Sequence, residues 1–385
     1  ESTTLTFSTH MRQFFHKVHL WISIPLGLIF FISCLTGALL VFEQDIQQLR
    51  QASLYRVTPA ATPSLQPAQL AERIQMQMPD TLKLASLQIF QAPDKAALAT
   101  FEGAEKKSYA VDPYTGQIKG SPSSSTFFQT VRKLHRWLLN PPPSKTAKSA
   151  GKVIIGVSTL LMAVVLITGL ICWWPRTRRM LRNCLSVSTR LGKLRFWYDT
   201  HVSLGFYALI FLLLMALTGL TWSFQWYRKA AYGLFGANQP AKTGKADTSP
   251  APSKPQKPTA AFDYTVWNRT ATEAAKICPN YEWLKLTNGN QAEVLPADAP
   301  LARATDRLLT DRHSGQIKNI EHWTDKPRAD KAKAWFYAVH TGSWGGMLTQ
   351  ILYAIAALIG ASLPLTGYYM WWRRRKHASR PACQS

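Results

Sequence analysis

HLWISIPLGLIFFISCLTGALLVF at residues 19–42 and HVSLGFYALIFLLLMALTGLTWSF at residues 201–224 decide the fold of this chain. Each is an unbroken apolar run that opens on a histidine and carries Thr-Gly near its far end. The step from His19 to Thr36 equals that from His201 to Thr218, 17 residues in both. A helix rising 1.5 Å per residue needs about 20 apolar residues to cross a ~30 Å hydrocarbon core, and both runs are long enough. Residues 153–174 and 348–372 supply two more such runs. An α-helical membrane protein is therefore predicted, with transmembrane helices at 20–42, 151–174, 201–224 and 347–372. The first run exceeds the apolar region of a cleaved signal and no A-x-A-like site follows it, so it reads as a retained helix.

The short connections orient the helices. Residues 175–200 hold Arg176, Arg178, Arg179, Arg182, Arg190, Lys193 and Arg195 against one acid, Asp199, and the tail 373–385 opens Arg373-Arg374-Arg375-Lys376. The positive-inside rule assigns this loop, the tail and the N-terminal segment 1–19 to the cytoplasm. Residues 43–150 and 225–346 then lie outside, in the periplasm of a bacterial inner membrane. Trp173-Trp174 and Trp371-Trp372 are aromatic anchors beside the basic clusters. A formal net charge of +24 requires no nucleic acid. Anionic membrane lipid accounts for part of it, and an anionic ligand outside could account for some.

Composition excludes several chemistries. Cys34, Cys172, Cys184, Cys278 and Cys383 are scattered, and only Cys278 falls in an external stretch, so no disulfide framework is expected there. No C-x-x-C pair and no C-x-x-C-H occurs, so any haem is held without covalent attachment. Without G-x-G-x-x-G or a P-loop, and with cytoplasmic parts too small to fold a nucleotide domain, no NAD(P)H site is expected.

The chain repeats itself. The helices that close each half end alike, ITGLICWWPRTRR at 167–179 and LTGYYMWWRRRK at 365–376. The external stretches share Asp112-Pro113-Tyr114-Thr115-Gly116-Gln117-Ile118 and Asp311-Arg312-His313-Ser314-Gly315-Gln316-Ile317. A histidine follows each, His135 or His340, near the next membrane helix. The expected architecture is helix, external domain, helix, made twice and related by a pseudo-twofold axis along the membrane normal. Each external domain reads as a small α+β unit. The first has a helix capped by Ser64 and strands at 83–90, 96–101 and 107–112. The second has a helix at 265–277 and strands near 282–287, 291–295, 305–310 and 316–321. Residues 236–260 form a Pro/Lys/Ala tether.

Four histidines match across the repeat. His19 and His201 are placed at the cytoplasmic helix starts, His135 and His340 at the external entrances. A single histidine at a helix end is commonly a head-group residue; two matched pairs at two depths point to axial ligands of two haem irons. From His19 to Gly37, and from His201 to Gly219, is about five whole turns, so each glycine shares the histidine's face about 27 Å away. Close helix packing explains any one such glycine equally well. The recurrence favours room for a flat macrocycle, and the Thr-Gly pairs of the closing helices put Gly169 and Gly367 in the same class. His16 is an alternative to His19 as ligand. His313 and His322 could meet a substrate, although surface imidazoles without a role are commoner.

The D-P-x-T-G-x-I turn after a helix and strands resembles the PepSY domain. The four-helix frame with H-x17-T-G and T-G-x-x-x-W-W-[PR]-R resembles the PepSY-associated transmembrane family over nearly the whole chain. In the second turn Arg312 and Ser314 depart from the pattern. The resemblance implies FoxB-type ferric-siderophore (ferrioxamine) reductases: two non-covalent, bis-histidine b-type haems, a ferric siderophore as periplasmic partner, and an electron donor outside the chain, quinol or a cytoplasmic reductase. Two other readings stay open, a non-redox regulator binding peptidases or peptides and a siderophore permease.

Overall fold

The structure is a computed structural model and describes residues 9–79, 81–102, 107–144, 147, 149–237 and 262–378. In chain order, α1 (Thr9–Val41) is followed by α2 (Glu43–Arg50), α3 (Ala52–Tyr55) and α4 (Pro67–Met76). Strands β1 (Lys83–Phe90), β2 (Ala97–Glu102), β3 (Lys107–Val111) and β4 (Ile118–Gly120) come next. Then come α5 (Thr126–Trp137), α6 (Ala150–Trp173), α7 (Arg178–Cys184), α8 (Lys193–Ser223) and α9 (Gln225–Leu234). The chain continues through α10 (Val266–Ile277), β5 (Tyr281–Thr287), β6 (Gln291–Pro296), β7 (Asp306–Thr310) and β8 (Ile317–Glu321). It closes with α11 (Arg328–Thr341) and α12 (Gly346–Ala378). The tether expected at 236–260 falls, from residue 238 on, outside the described residues. Two compact units result: one takes α1, α5 to α9 and α12, the other α3, α4, α10 and all eight strands.

In the first unit α1 packs against α6 and α12, and α8 packs against the same two. All four are long and apolar enough to cross a membrane. Their outer faces keep large apolar side chains exposed: Trp21 and Leu28 on α1, Ile154 and Ile167 on α6, Tyr207 and Ile210 on α8, Leu348 and Leu358 on α12. Such a surface suits hydrocarbon, because helices bond their backbone groups internally and large apolar side chains face outward. Inside, Gly360 lies against Leu212 and Cys34, which lets α12 approach α8 and α1. The Trp173 and Phe206 rings stack at 3.9 Å between α6 and α8.

The helices outrun the apolar windows. α1 begins at Thr9 and α8 at Lys193 rather than at the histidines, since Arg12, Lys17 and Arg195 end hydropathy without ending helix propensity. Pro25 and Pro364 both lie inside helices that continue through them. His135 sits on its own helix, α5, which stops at Leu138 and Leu139 with φ 47° and 64°. α11 ends similarly before Gly342 (φ 74°), where a Cβ would press into the Tyr353 ring at 2.8 Å.

The second unit draws its strands from both stretches, 43–150 and 225–346, that the sequence reads as external. Its strands form one eight-stranded antiparallel sheet, ordered β4-β3-β2-β1-β5-β6-β7-β8. The seam pairs β1 with β5, from Ser86 opposite Thr287 to Phe90 opposite Trp283. A four-stranded sheet leaves a row of unpaired backbone groups on β1 or β5, and joining the two edges satisfies both. The apolar core is shared accordingly. α4 lies on β1, α10 lies on β5 and β8, and the two helices touch. Leu70, Ile74, Leu84, Phe101, Trp267, Leu286 and Leu308 are fully buried there. Trp267 Nε1 donates to the Thr287 carbonyl at 3.0 Å.

Ser64 is not the cap of the first helix, which starts at Pro67 with Gln66 as N-cap. Proline suits the first helical position because its missing N–H would be orphaned anyway. One remaining donor, Ala68 N–H, is satisfied by Asn268 Oδ1 of α10 at 2.9 Å, an acceptor no local reading supplies. The two shared turns fold alike despite Arg312 and Ser314. Asp112 Oδ1 accepts from Tyr114 N–H and Asp311 Oδ1 from His313 N–H, both at 2.8 Å. Gly116 and Gly315 then reverse the chain at φ 76° and 68°.

Candidate functional site: two histidine pairs in the helix bundle

Each Thr-Gly pair of the bundle is a seat for one histidine. In a helix a threonine hydroxyl can donate back to its own preceding turn. Thr36 donates to Ile32 O at 2.6 Å, Thr168 to Val164 O at 2.9 Å, Thr218 to Leu214 O at 2.6 Å and Thr366 to Leu363 O at 2.9 Å. With its one proton committed, each hydroxyl is left as an acceptor, and all four threonines are buried.

The histidines fill these acceptors. His135 Nδ1 lies 3.0 Å from Thr36 Oγ1 and 3.0 Å from the Ser33 carbonyl. His19 Nδ1 lies 3.0 Å from the Val165 carbonyl and 3.3 Å from Thr168 Oγ1. His340 Nδ1 lies 2.9 Å from the Met215 carbonyl and 3.2 Å from Thr218 Oγ1. His201 Nδ1 lies 2.8 Å from Thr366 Oγ1, with the Leu363 backbone as its second partner. A carbonyl can only accept, so Nδ1 carries the hydrogen in His19, His135 and His340, and His201 Nδ1 carries it toward a Thr366 hydroxyl whose own proton is committed. In a neutral imidazole that leaves the lone pair on Nε2, the nitrogen that could ligate a metal.

The glycine beside each threonine clears space for the ring. A Cβ on Gly37 would meet His135 Cε1 at 3.3 Å, on Gly169 His19 Cε1 at 3.3 Å, and on Gly219 His340 Cε1 at 3.2 Å. Gly367 is looser, 3.8 Å from His201 Cε1. The glycines at these four positions therefore border imidazoles, where the sequence suggested room for a macrocycle.

The histidines meet in the two pairs expected from the repeat. His19 faces His201 with ring centroids 6.5 Å apart, and His135 faces His340 at 6.4 Å. Two imidazoles on opposite sides of one first-row metal, at about 2.0–2.1 Å per bond, have centroids about 6.3 Å apart. Both pairs fit that requirement. Among the described residues no group of three or more His, Cys, Asp or Glu could hold a metal ion. A pair of facing imidazoles is the donor set that a metal already held in a macrocycle, such as haem iron, would take.

His16, His313 and His322 stand apart from the pairs. His16 is exposed and His19 is the residue that faces His201. His322 bonds Asp306 Oδ2 at 3.0 Å in the sheet unit, and His313 belongs to the Asp311 turn. Two features escaped the sequence reading. One is the threonine hydroxyl with its upstream carbonyl, although the recurring Thr-Gly was the signal that could have found it. The other is Trp222, whose ring stands edge-on 5.1 Å from His340.

Four apolar crossing helices with outward apolar faces define a multi-pass membrane protein. It belongs to the PepSY-associated TM region family, whose pattern matches residues 16–374 and so spans all four histidines and all four Thr-Gly seats. No curated protein matches the chain.

Proposed function

We propose that this protein is an inner-membrane di-haem b cytochrome that reduces a ferric siderophore on the periplasmic side and releases Fe(II) for uptake. The supporting observation is the pair of matched histidine couples, each at bis-imidazole spacing and each with Nδ1 committed to the neighbouring helix. His19 and His201 would hold one haem and His135 and His340 the other. Haem, when bound, supplies one-electron redox chemistry.

The chain's own residues do the rest. The histidines would supply the nitrogens that hold the haems, and the threonines and carbonyls hold the rings in one tautomer and one orientation. The apolar bundle excludes water. In the proposed orientation the basic residues at 175–200 and 373–376 face the cytoplasm, residues 43–150 and 225–346 are periplasmic, and the His135/His340 couple is the one that serves the substrate. Quinol or a reductase partner gives the electrons. Each ferric ion takes one, and an oxygen-donor chelate loosens because hard ligands favour the more highly charged ion.

An absorption spectrum of the detergent-purified full chain, oxidised and then reduced, tests this reading. Reduced α and Soret bands with two haems per chain, reoxidised by a ferric siderophore, are expected. Colourless protein from haem-replete cells rejects the proposal and leaves a peptide-binding regulator.

A further inference from the structure

Four threonines in this bundle share one arrangement that packing alone does not require. Each spends its hydroxyl proton on its own helix and turns its lone pairs to the Nδ1 of a histidine on another helix, beside a carbonyl three residues upstream. The four seats are not equal. Thr366 is the close partner of His201 at 2.8 Å, whereas Thr168 is the far one for His19 at 3.3 Å, behind the Val165 carbonyl at 3.0 Å. The two ligands of one couple therefore lean on different acceptors, one chiefly on a hydroxyl and one chiefly on the backbone.

We infer that Thr36, Thr168, Thr218 and Thr366 are positioning residues for the haem ligands, and that Thr366 sets the donor strength of His201 most strongly. The inference rests on the haem reading above. An acceptor on Nδ1–H pulls the proton outward and makes the imidazole a stronger donor through Nε2. A stronger donor favours ferric over ferrous iron and lowers the reduction potential. Removing the acceptor raises it. The side chain is replaceable without changing its shape, since valine keeps the threonine outline and lacks the hydroxyl, and serine keeps the hydroxyl.

The experiment is a redox titration of the full haem-loaded chain carrying Thr366→Val, Thr366→Ser, Thr168→Val or Thr168→Ser, with each haem followed by its own spectrum. Thr366→Val is expected to raise the midpoint of the His19/His201 haem and leave the other unchanged. Thr366→Ser should stay at the parent value, and Thr168→Val should move the same haem less. If Thr366→Val leaves both midpoints at the parent value with both haems retained, the inference is overturned. Loss of one haem in Thr366→Val with retention in Thr366→Ser supports it; equal loss in both overturns it.

A second measurement separates this inference from the haem reading. In the haem-free full chain, 15N resonances of the histidines report which ring nitrogen bears hydrogen. Nδ1–H at His201 in the parent and Thr366→Ser chains, with mixed tautomers in Thr366→Val, upholds the seat even if no haem ever binds. Nε2–H in the parent chain overturns it.

Discussion

Gly219 stands so close to His340 that a methyl group on its α-carbon would lie 3.2 Å from the imidazole Cε1. The same relation joins Gly37 to His135 and Gly169 to His19 at 3.3 Å, but Gly367 keeps 3.8 Å from His201, an ordinary van der Waals distance. Gly219→Leu should therefore displace His340 and, under the proposed function, cost the chain one haem, that of the His135/His340 couple. Gly367→Ala should keep both. Haem per chain, measured as pyridine haemochrome, checks this; a Gly219→Leu chain with two haems would mean the ring can move aside freely.

The pairing itself makes a sharper expectation. His135→Ala and His340→Ala should lose the same spectral component, and His19→Ala and His201→Ala the other. Low-temperature difference spectra of the four variants resolve it. Different components lost from His135→Ala and His340→Ala would break the couple assigned from the 6.4 Å ring separation.

Under the proposed direction of electron flow the couples should fail differently. Losing His19 or His201 removes the entry point, so turnover from the physiological donor should fall at least tenfold. A small reductant that reaches the other haem should still drive Fe(II) release. Losing His135 or His340 should abolish release with either donor. Fe(II) capture by a colorimetric chelator, with background subtracted, is the measurement. Normal release from His340→Ala under the small reductant would mean the substrate takes its electron elsewhere.

In the sheet unit, Leu286 is fully buried in the core shared by α4 and α10. Leu286→Ala should destabilise that unit by about 2–5 kcal/mol, the usual cost of a large-to-small change that leaves a cavity. Hydrogen exchange should then rise on β1 as well as on β5, because the seam joins them. Exchange that rises on β5 to β8 alone would indicate two independent halves.

The Asp311 turn carries a pH signature. Lys318, followed by the His313 and Ser314 N–H groups, holds the Asp311 carboxyl well below the usual carboxylate range. A carboxyl lowered by folding stabilises the fold above its unfolded pKa, and that contribution disappears as pH falls through the folded value. The parent chain should thus outlast Asp311→Asn in thermal melts at neutral pH, and the gap should close in strong acid. A gap that widens on acidification would reverse the sign and remove the ion pair as its cause.

Hydropathy and spacing made the four long apolar helices legible, and with them the places of His19 and Gly37 on α1 and of His201 and Gly219 on α8. Those signals are local: a 3.6-residue period and an apolar run tell where a helix crosses and which face a residue shares. Two things were not legible. Thr168 and His19 are far apart in the chain, so the hydrogen bond that fixes the ligand's tautomer exists only after α6 packs on α1. The seam between β1 and β5 is likewise a pairing of two strands that each look complete within their own half. Ser64 shows the third limit, a plausible cap displaced because Pro67 and Asn268 fix the helix start from elsewhere.

That seam also imposes an order on the making of the protein. β1 ends at Phe90, and its partner strand does not begin until Tyr281. At about 5–20 residues per second, the ribosome needs roughly ten to forty seconds to deliver β5 after β1. Throughout that interval β1 offers an open backbone edge, the kind of surface on which strands from separate chains join. Crowded synthesis should therefore favour exchange, with β1 of one copy closing on β5 of another, and slow single-copy synthesis should favour the closed sheet.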